Sequence, residues 1–386
     1  MNRVCSIFAQ VLRLLPRIEF EQAVQKHRAE KHAKGFSCWT QLIAMLFCQL
    51  GQARSLREIV GGLASSEGKL KHLGVAKPPK RSTLAYANEH RSWELYQTVF
   101  EQVLAKCRGA MGGRTKFHFH NKLVSLDATS IDLCTSLFDW AQYKRTKGAV
   151  KLHLMLDHEG YLPCFAVMTD GKVHEIQIAR QLSLQPGTIL VVDRAYIDYL
   201  WMHRLTETSV FFVTRMRADI RYKVTRKRQT PRRGVVLRDE EILIRSVTHG
   251  VELKLRRIVI WNQEKQEKLV FLSNHMSFAA STIAAIYKDR WQIESFFKSM
   301  KQLLRVKTFV GTSANALKIQ MWTALIAMLI LKFLQWRASF GWSLSNLVAL
   351  LRYQLFVYRD LYEWLDDPFQ PPPALAPLEE QLLLTF

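Results

Sequence analysis

Three acidic residues stand where metal-assisted chemistry on a phosphodiester would need them. Glu294 lies in YKDRWQIESFFKSMK, residues 287–301. Wound as a helix at about 100° per residue, this stretch puts Tyr287, Arg290, Glu294 and Lys301 within about 60° of one another. Lys298 and Arg305 flank them. Ile293, Phe296, Phe297, Met300, Leu303 and Leu304 gather on the opposite side, an ordinary core-facing stripe. A solvated face laced with pairs such as Arg290–Glu294 would use the same residue types. The order here is more specific: one carboxylate is set among a phenol and permanent cations. The acid suits a metal ion, and the cations suit DNA phosphates. The cations would also depress the pKa of Glu294 and keep it ionised. Tyr287 would bond a phosphate oxygen or orient Glu294.

Two further acids end predicted strands. LVSLDATSIDL (123–133) is β-branched and apolar and carries Asp127, and TILVVDRAY (188–196) is a short buried strand ending at Asp193. Between them, KLHLMLDHE (151–159) and YLPCFAVMTDG (161–171) read as a hairpin turning at Glu159–Gly160, and a helix follows Gly171. A helix, DYLWMHRL, and a strand, SVFFVTRMR, come next. The order β-β-β-α-β-α-β with a late acid-bearing helix is that of a ribonuclease-H-like α/β core. Its first and fourth strands are neighbours, so Asp127 and Asp193 would sit side by side and the helix of Glu294 would pack across them.

Phosphodiester cleavage needs an in-line nucleophile and a stabilised leaving oxygen. Two divalent ions about 4 Å apart can clamp both. Mg²⁺ takes oxygen ligands, with one or two carboxylates per ion, so three acids can share two ions with Asp127 as the bridge; Mn²⁺ is a possible substitute. Asp127 or Asp193 alone would be an ordinary strand-end acid; it is their joint order that points to a site. Asp132, Asp157, Glu159 and Asp170 stay strand-end acids, and His174 and Glu175 read as helix-start residues with a capping role.

The elements that must position these acids fill the rest of the 386 residues. A formal charge of +22 spread along the whole chain asks for a polyanionic partner and favours nucleic acid over a membrane surface. Cysteines 5, 38, 48, 107, 134 and 164 form no CxxC and no zinc-finger spacing, and fit small core residues of a reducing cytoplasm. No secretory leader is expected at the start. The most apolar run, Met321–Leu331, reads as part of a helix buried against the sheet rather than a bilayer span.

Residues 1–108 are expected to form an all-helical domain. Within it, Pro78 and Pro79 precede a long helix reaching about Cys107, capped by Ser82 or Thr83 and preceded by Lys77, Lys80 and Arg81. This is a helix-turn-helix candidate, weighed evenly on pattern against a bundle with a positive surface. Residues 109–120 read as a linker and 121–340 as the core. An antiparallel β insertion is expected over 217–281, with Arg226, Lys227 and Arg228 in the basic loop 225–234 facing DNA. Trp261 and Trp291 could stack on DNA, although core packing is the commoner role. Residues 341–386 read as a helical region ending in a leucine-rich tail.

The spacing Y-(2)-R-(3)-E-(6)-K resembles the signature of bacterial DDE transposases of the insertion-sequence-four family. Asp193-Arg-Ala-Tyr196 and Asp127-Ala-Thr resemble that family's other acid blocks, and residues 55–63 and 71–88 resemble its amino-terminal domain. The resemblance implies binding of terminal inverted repeats by the helical domain, Mg²⁺-dependent cleavage, and strand transfer into target DNA. It implies a homodimer on paired ends and a bacterial cytoplasmic location, nucleoid-associated when bound to DNA, with no membrane partner. A nuclease or resolvase of the same fold and a non-catalytic DNA-binding derivative are the rival readings.

Overall fold

A computed structural model gives the architecture. It describes residues 5–370 apart from 32, 34, 67, 112–115, 134–137, 139, 141, 145–146, 231–233, 247–249 and 305–308. Cys134, Arg305 and the leucine-rich tail beyond 370 therefore lie outside the described residues.

Six helices open the chain: α1 (Ile7–Leu12), α2 (Arg17–Lys26), α3 (Cys38–Leu50), α4 (Leu56–Ala64), α5 (Arg81–His90) and α6 (Glu94–Met111). The long helix expected from Ser82 to Cys107 is two. The break has a clear cause: Arg91 is extended, and its guanidinium reaches back to Gln41 Oε1 and the Phe36 carbonyl. The cap is not Ser82 or Thr83 either, for α5 starts behind Lys80 with no side-chain cap.

The strands are β1 (Leu123–Leu133), β2 (Gln142–Lys144), β3 (Lys147–Asp157) and β4 (Leu162–Asp170). After α7 (Glu175–Ala179) comes β5 (Ile189–Val192), and after α8 (Tyr199–Glu207) comes β6 (Phe211–Arg215). Then follow β7 (Lys223–Lys227), β8 (Val236–Ser246), β9 (Val251–Asn262) and β10 (Glu267–Ser273). They form one mixed sheet in the order β2-β3-β1-β5-β6-β10-β9-β8-β7, with β4 on β3. The β3–β4 hairpin turns where expected, with Gly160 and Tyr161 at positive φ. β1 and β5 run parallel and β5 and β6 run parallel, as the ribonuclease-H-like order requires. The inserted strands are antiparallel as expected. They are not a separate layer, because β10 pairs with β6 and continues the core sheet.

Alternation along the central strands sorts the two faces. Val124, Leu126, Leu190, Val192 and Phe212 pack on Trp201, Met202 and Leu205 of α8. Leu123, Ile189, Val191 and Val213 pack on Ile283 and Ile286 of α9 (Ala280–Asp289). Residues expected in the linker join this second face: Phe117 stacks on Phe119, which contacts Phe278. α10 (Trp291–Leu303) follows, and its Ile293, Phe296, Phe297 and Met300 are buried as the sequence required.

α11 (Ala314–Arg337) is apolar nearly all round and 24 residues long. Its length and composition would suffice to cross a bilayer, but 83% of its apolar window is buried within the protein. It touches β4 of the sheet, yet most of its surface packs on α6, α3 and α5. α12 (Leu344–Gln354) and α13 (Leu361–Asp366) close onto the same body, so one apolar cluster holds Ile7, Leu46, Phe100, Leu325, Leu347 and Leu365 together.

Candidate active site

Asp127 and Asp193 are brought together by strand register. Leu126 pairs with Val192 in the parallel β1–β5 ladder, and the next residue is the acid in each case, Asp127 within β1 and Asp193 just past β5. Both acids fall on the α9 side of the sheet. The stretch 287–301, read from sequence as a single helix, is two: α9 ends at Asp289, α10 begins at Trp291, and Arg290 sits between them. The junction puts the guanidinium of Arg290 among the acids. Its Nη2 donates to Glu294 Oε1 at 2.7 Å, and its Nη1 lies 3.7 Å from Asp127 Oδ2. Tyr287 donates a long hydrogen bond, 3.5 Å, to Asp193 Oδ1, and its ring lies 5.3 Å from the Arg290 guanidinium carbon.

The electrostatics follow from this packing. Burial pushes the Asp127 carboxyl up to about 7; the Ala128 N–H and Arg290 oppose the rise, while Glu294 and Glu175 add to it. Burial works against the charge of Arg290, but Tyr287, Glu294, Asp127 and Asp193 together outweigh it and raise its pKa. Burial pushes the Tyr287 phenol up to about 12. All three predicted acids thus act on one guanidinium.

Two buried atoms here have no partner, Arg290 Nε and Glu294 Oε2. An orphaned carboxylate oxygen in an all-oxygen set suits a hard divalent cation. Among the described residues no three acidic, His or Cys side chains close to ligating distance. The positive charge between the acids comes from Arg290. The donor chemistry therefore fits a divalent ion, and closure of the ligand set would require Arg290 to shift.

The other predicted contacts are dispersed. Lys301 Nζ donates to the Ser130 carbonyl of β1 at 2.8 Å, on the acid-bearing strand. Lys298 is exposed on α10, and Arg81 is exposed at the start of α5. Arg226 and Lys227 lie on β7, whose residues are all exposed, six strands from β1. At about 4.8 Å per strand that is roughly 29 Å from the acids. Arg228 is engaged by Glu241 at 3.3 Å and Asp239 at 3.9 Å. Trp291, for which a core edge was the commoner expectation, is 65% exposed. Trp261 is half-buried on β9.

Sequence reasoning passed over two groups. Tyr196, which ends the Asp193-Arg-Ala-Tyr block, is fully buried with its hydroxyl unpartnered. Burial, Asp127, Glu175 and Asp193 push its pKa up. Glu175 was read as a helix-start residue. It does begin α7, but neither it nor His174 caps with its side chain, and its carboxylate pairs with Lys151 at 3.6 Å while bearing on Asp127. No local pattern marks Glu175, since strand packing alone brings it near.

The transposase DDE domain profile matches residues 119–330, more than half the chain. A second profile, described only as a domain of unknown function, matches residues 4–76. A Sinorhizobium fredii protein that carries the name of a transposase is 28% identical over 78% of this chain and 82% of its own. A Geobacillus stearothermophilus protein named for the transposase of an insertion sequence is 28% identical over 66% and 67%. A Synechocystis protein with a like name is 30% identical over 61% and 67%. A piggyBac transposase synaptic complex with hairpin DNA aligns at 10% identity and a TM-score of 0.40, over 91% of this chain and 78% of that one. That is too remote to assign any residue. A mixed α/β sheet in which two acids lie where a parallel pair of strands parts, preceded by helices, is consistent with a ribonuclease-H-like core. The chain belongs to the DDE transposase family. It is a DNA-binding, DNA-cleaving transposase, and the family depends on divalent metal.

Proposed function

We propose that Asp127, Asp193 and Glu294 are the catalytic acids of this transposase, with Mg²⁺ as the ion and Mn²⁺ as a working substitute. The observation that carries the reading is the Leu126–Val192 register, which sets two of the acids side by side, with Arg290 reaching both Asp127 and Glu294. Bound divalent ions would polarise the scissile phosphate and stabilise the leaving oxygen. The chain's own residues do the rest. Arg290 balances the acids and can turn to the phosphate. Tyr287 orients Asp193. Lys301 and Lys298 hold the backbone on either side, and the exposed Trp291 offers a face to a base.

On this reading the helical residues 1–108 bind terminal inverted repeats, with Arg81 at the exposed start of α5 touching phosphate. Residues 109–120 connect them to the core, 121–340, and residues 341–386 are a carboxy-terminal region of helices with a tail. Arg226, Lys227 and Arg228, on the insertion 217–281, contact DNA well away from the cut. The freed 3′-OH then attacks target DNA, with two ends held by a homodimer in the bacterial cytoplasm and nucleoid.

The test is a donor DNA with paired ends incubated with Mg²⁺ or Mn²⁺. Nicking at the ends followed by joining to a target plasmid is the expected result. Nicking without joining would leave a nuclease or resolvase; binding without nicking would leave a DNA-binding derivative.

A further inference from the structure

Behind the acids lies a second polar chain that the reading above does not use. His158 follows β3 and is almost wholly buried. Its Nδ1 lies 2.6 Å from Asp289 Oδ2, and its Nε2 lies 2.6 Å from Ser125 Oγ. An ionised carboxylate can only accept, so Nδ1 donates to Asp289, while Nε2 shares a hydrogen bond with the serine hydroxyl, which can serve as donor or acceptor. Asp289 is 3% exposed and also accepts from Lys116 Nζ at 2.6 Å and from the Tyr161 hydroxyl at 3.1 Å. Burial would raise its pKa, but the bonds from His158 and Lys116 outweigh burial and hold it below the usual carboxylate value.

The placement of the two ends matters most. Ser125 precedes Asp127 by two residues on β1, so the two side chains share a face about 7 Å apart. Asp289 is the peptide neighbour of Arg290 at the α9–α10 junction. One imidazole therefore spans from the strand of Asp127 to the turn that aims Arg290 and Glu294. The His158 N–H fixes the ring's own backbone to the Leu123 carbonyl at 3.0 Å, on the same strand. Serine, histidine and aspartate in this order could also be a hydrolytic relay. That is excluded by access, for Ser125 has no exposed surface and no substrate could reach its hydroxyl.

We propose that Ser125, His158 and Asp289 form a positioning brace that sets the spacing between the Asp127 strand and the Arg290–Glu294 turn. The brace rests on the reading of Asp127, Asp193 and Glu294 as the catalytic acids. It lets the acid set close on its ion without first reordering the helix. Lys116 brings the segment before β1 onto the same carboxylate, so the brace also meets the chain arriving from the helical region.

The experiment uses full-length protein. His158→Ala opens room for free imidazole, because His158 already lines a cavity of about 510 Å³. Four quantities are read: end binding by gel shift, Mn²⁺ binding without DNA by electron paramagnetic resonance, cleavage rate, and Tm. H158A is expected to bind ends like wild type, to lose roughly 10–100-fold in Mn²⁺ affinity and cleavage, and to recover both with added imidazole. Ser125→Ala removes one hydroxyl and is expected to lose several-fold in both. It carries the test if H158A does not fold, and wild-type Mn²⁺ affinity and cleavage in S125A would then overturn the brace. A folded H158A with wild-type Mn²⁺ affinity and cleavage overturns it, as does a loss that follows a lower Tm and ignores imidazole. Asp127→Asn is the control. If D127N is dead and H158A is normal, only the brace falls; if D127N still cuts, the acid assignment falls and takes the brace with it.

Discussion

Two guanidiniums, one inside the sheet and one packed against it at the α9–α10 junction, are treated very differently. Arg256, in the inserted strands, is 2% exposed and gives Nε and Nη2 to the two oxygens of Asp239 at 2.8 and 2.6 Å. Its Nη1 goes to the carbonyls of His275 and Phe278. Every arm is used. Arg290 holds one short bond to Glu294 and a loose contact to Asp127, and both its Nε and Glu294 Oε2 are left without partners. An unmet buried polar group costs on the order of 1–3 kcal/mol, which a fold tolerates where chemistry uses it. The first pair is a finished structural joint. The second is poised for exchange.

The largest effect should come from the second pair. Asp127→Asn, Asp193→Asn and Glu294→Gln are each expected to cut end cleavage by roughly 10³-fold or more, with gel-shift affinity for ends retained. A substituted protein that still cleaves would remove that residue from the site. Next, Arg256→Ala should strand Asp239 in the core and cost about 3–5 kcal/mol by denaturant unfolding. Divalent ions should recover none of it. Arg290→Met should cost less stability, roughly 1–2 kcal/mol, and Mn²⁺ should return part of that loss by binding the freed acids. Equal responses of the two arginine variants to Mn²⁺ would dissolve the contrast.

Titration sharpens it further. Asp127 is raised from the usual 3.8 to about 7, so the metal-free folded protein holds its proton more tightly than the unfolded chain does. Stability from this group is fully present below pH 4 and is lost as pH rises toward 7. Asp127→Asn should therefore stabilise the metal-free protein at pH 8, by about 1–3 kcal/mol, and leave it little changed near pH 4. Thermal melts at the two pH values check this. The smallest effect belongs to the far edge of the sheet: Lys227→Ala should lower the salt slope of DNA binding by about one and spare the cleavage rate of bound DNA.

Much of the acid site was legible because its signals are local. β5 is a short apolar run followed at once by Asp193, β1 is a β-branched apolar strand that carries Asp127, and the Tyr287–Lys301 spacing lies within one stretch. What escaped depends on contacts between distant parts. Arg91 breaks the expected long helix by reaching to Phe36 and Gln41, some fifty positions earlier. The insertion joins the core sheet through the β10–β6 pairing, which no alternation within the insertion announces. Nothing local marks Asp289; only the fold puts His158 and Lys116 against it.

α11 has a consequence for how the protein can be divided. Its apolar surface is shared by α3, α5 and α6 from the first third of the chain and by β4 from the sheet, and Asn315 donates to the carbonyls of Asn88 and Arg91 where α5 gives way to α6. A fragment stopping at residue 108 would leave Phe100 and its neighbours facing water, and a fragment starting at 121 would bare one flank of a greasy rod. Neither piece should be a tidy module. A premature stop in the gene would yield clumped debris rather than a competitor for the transposon ends.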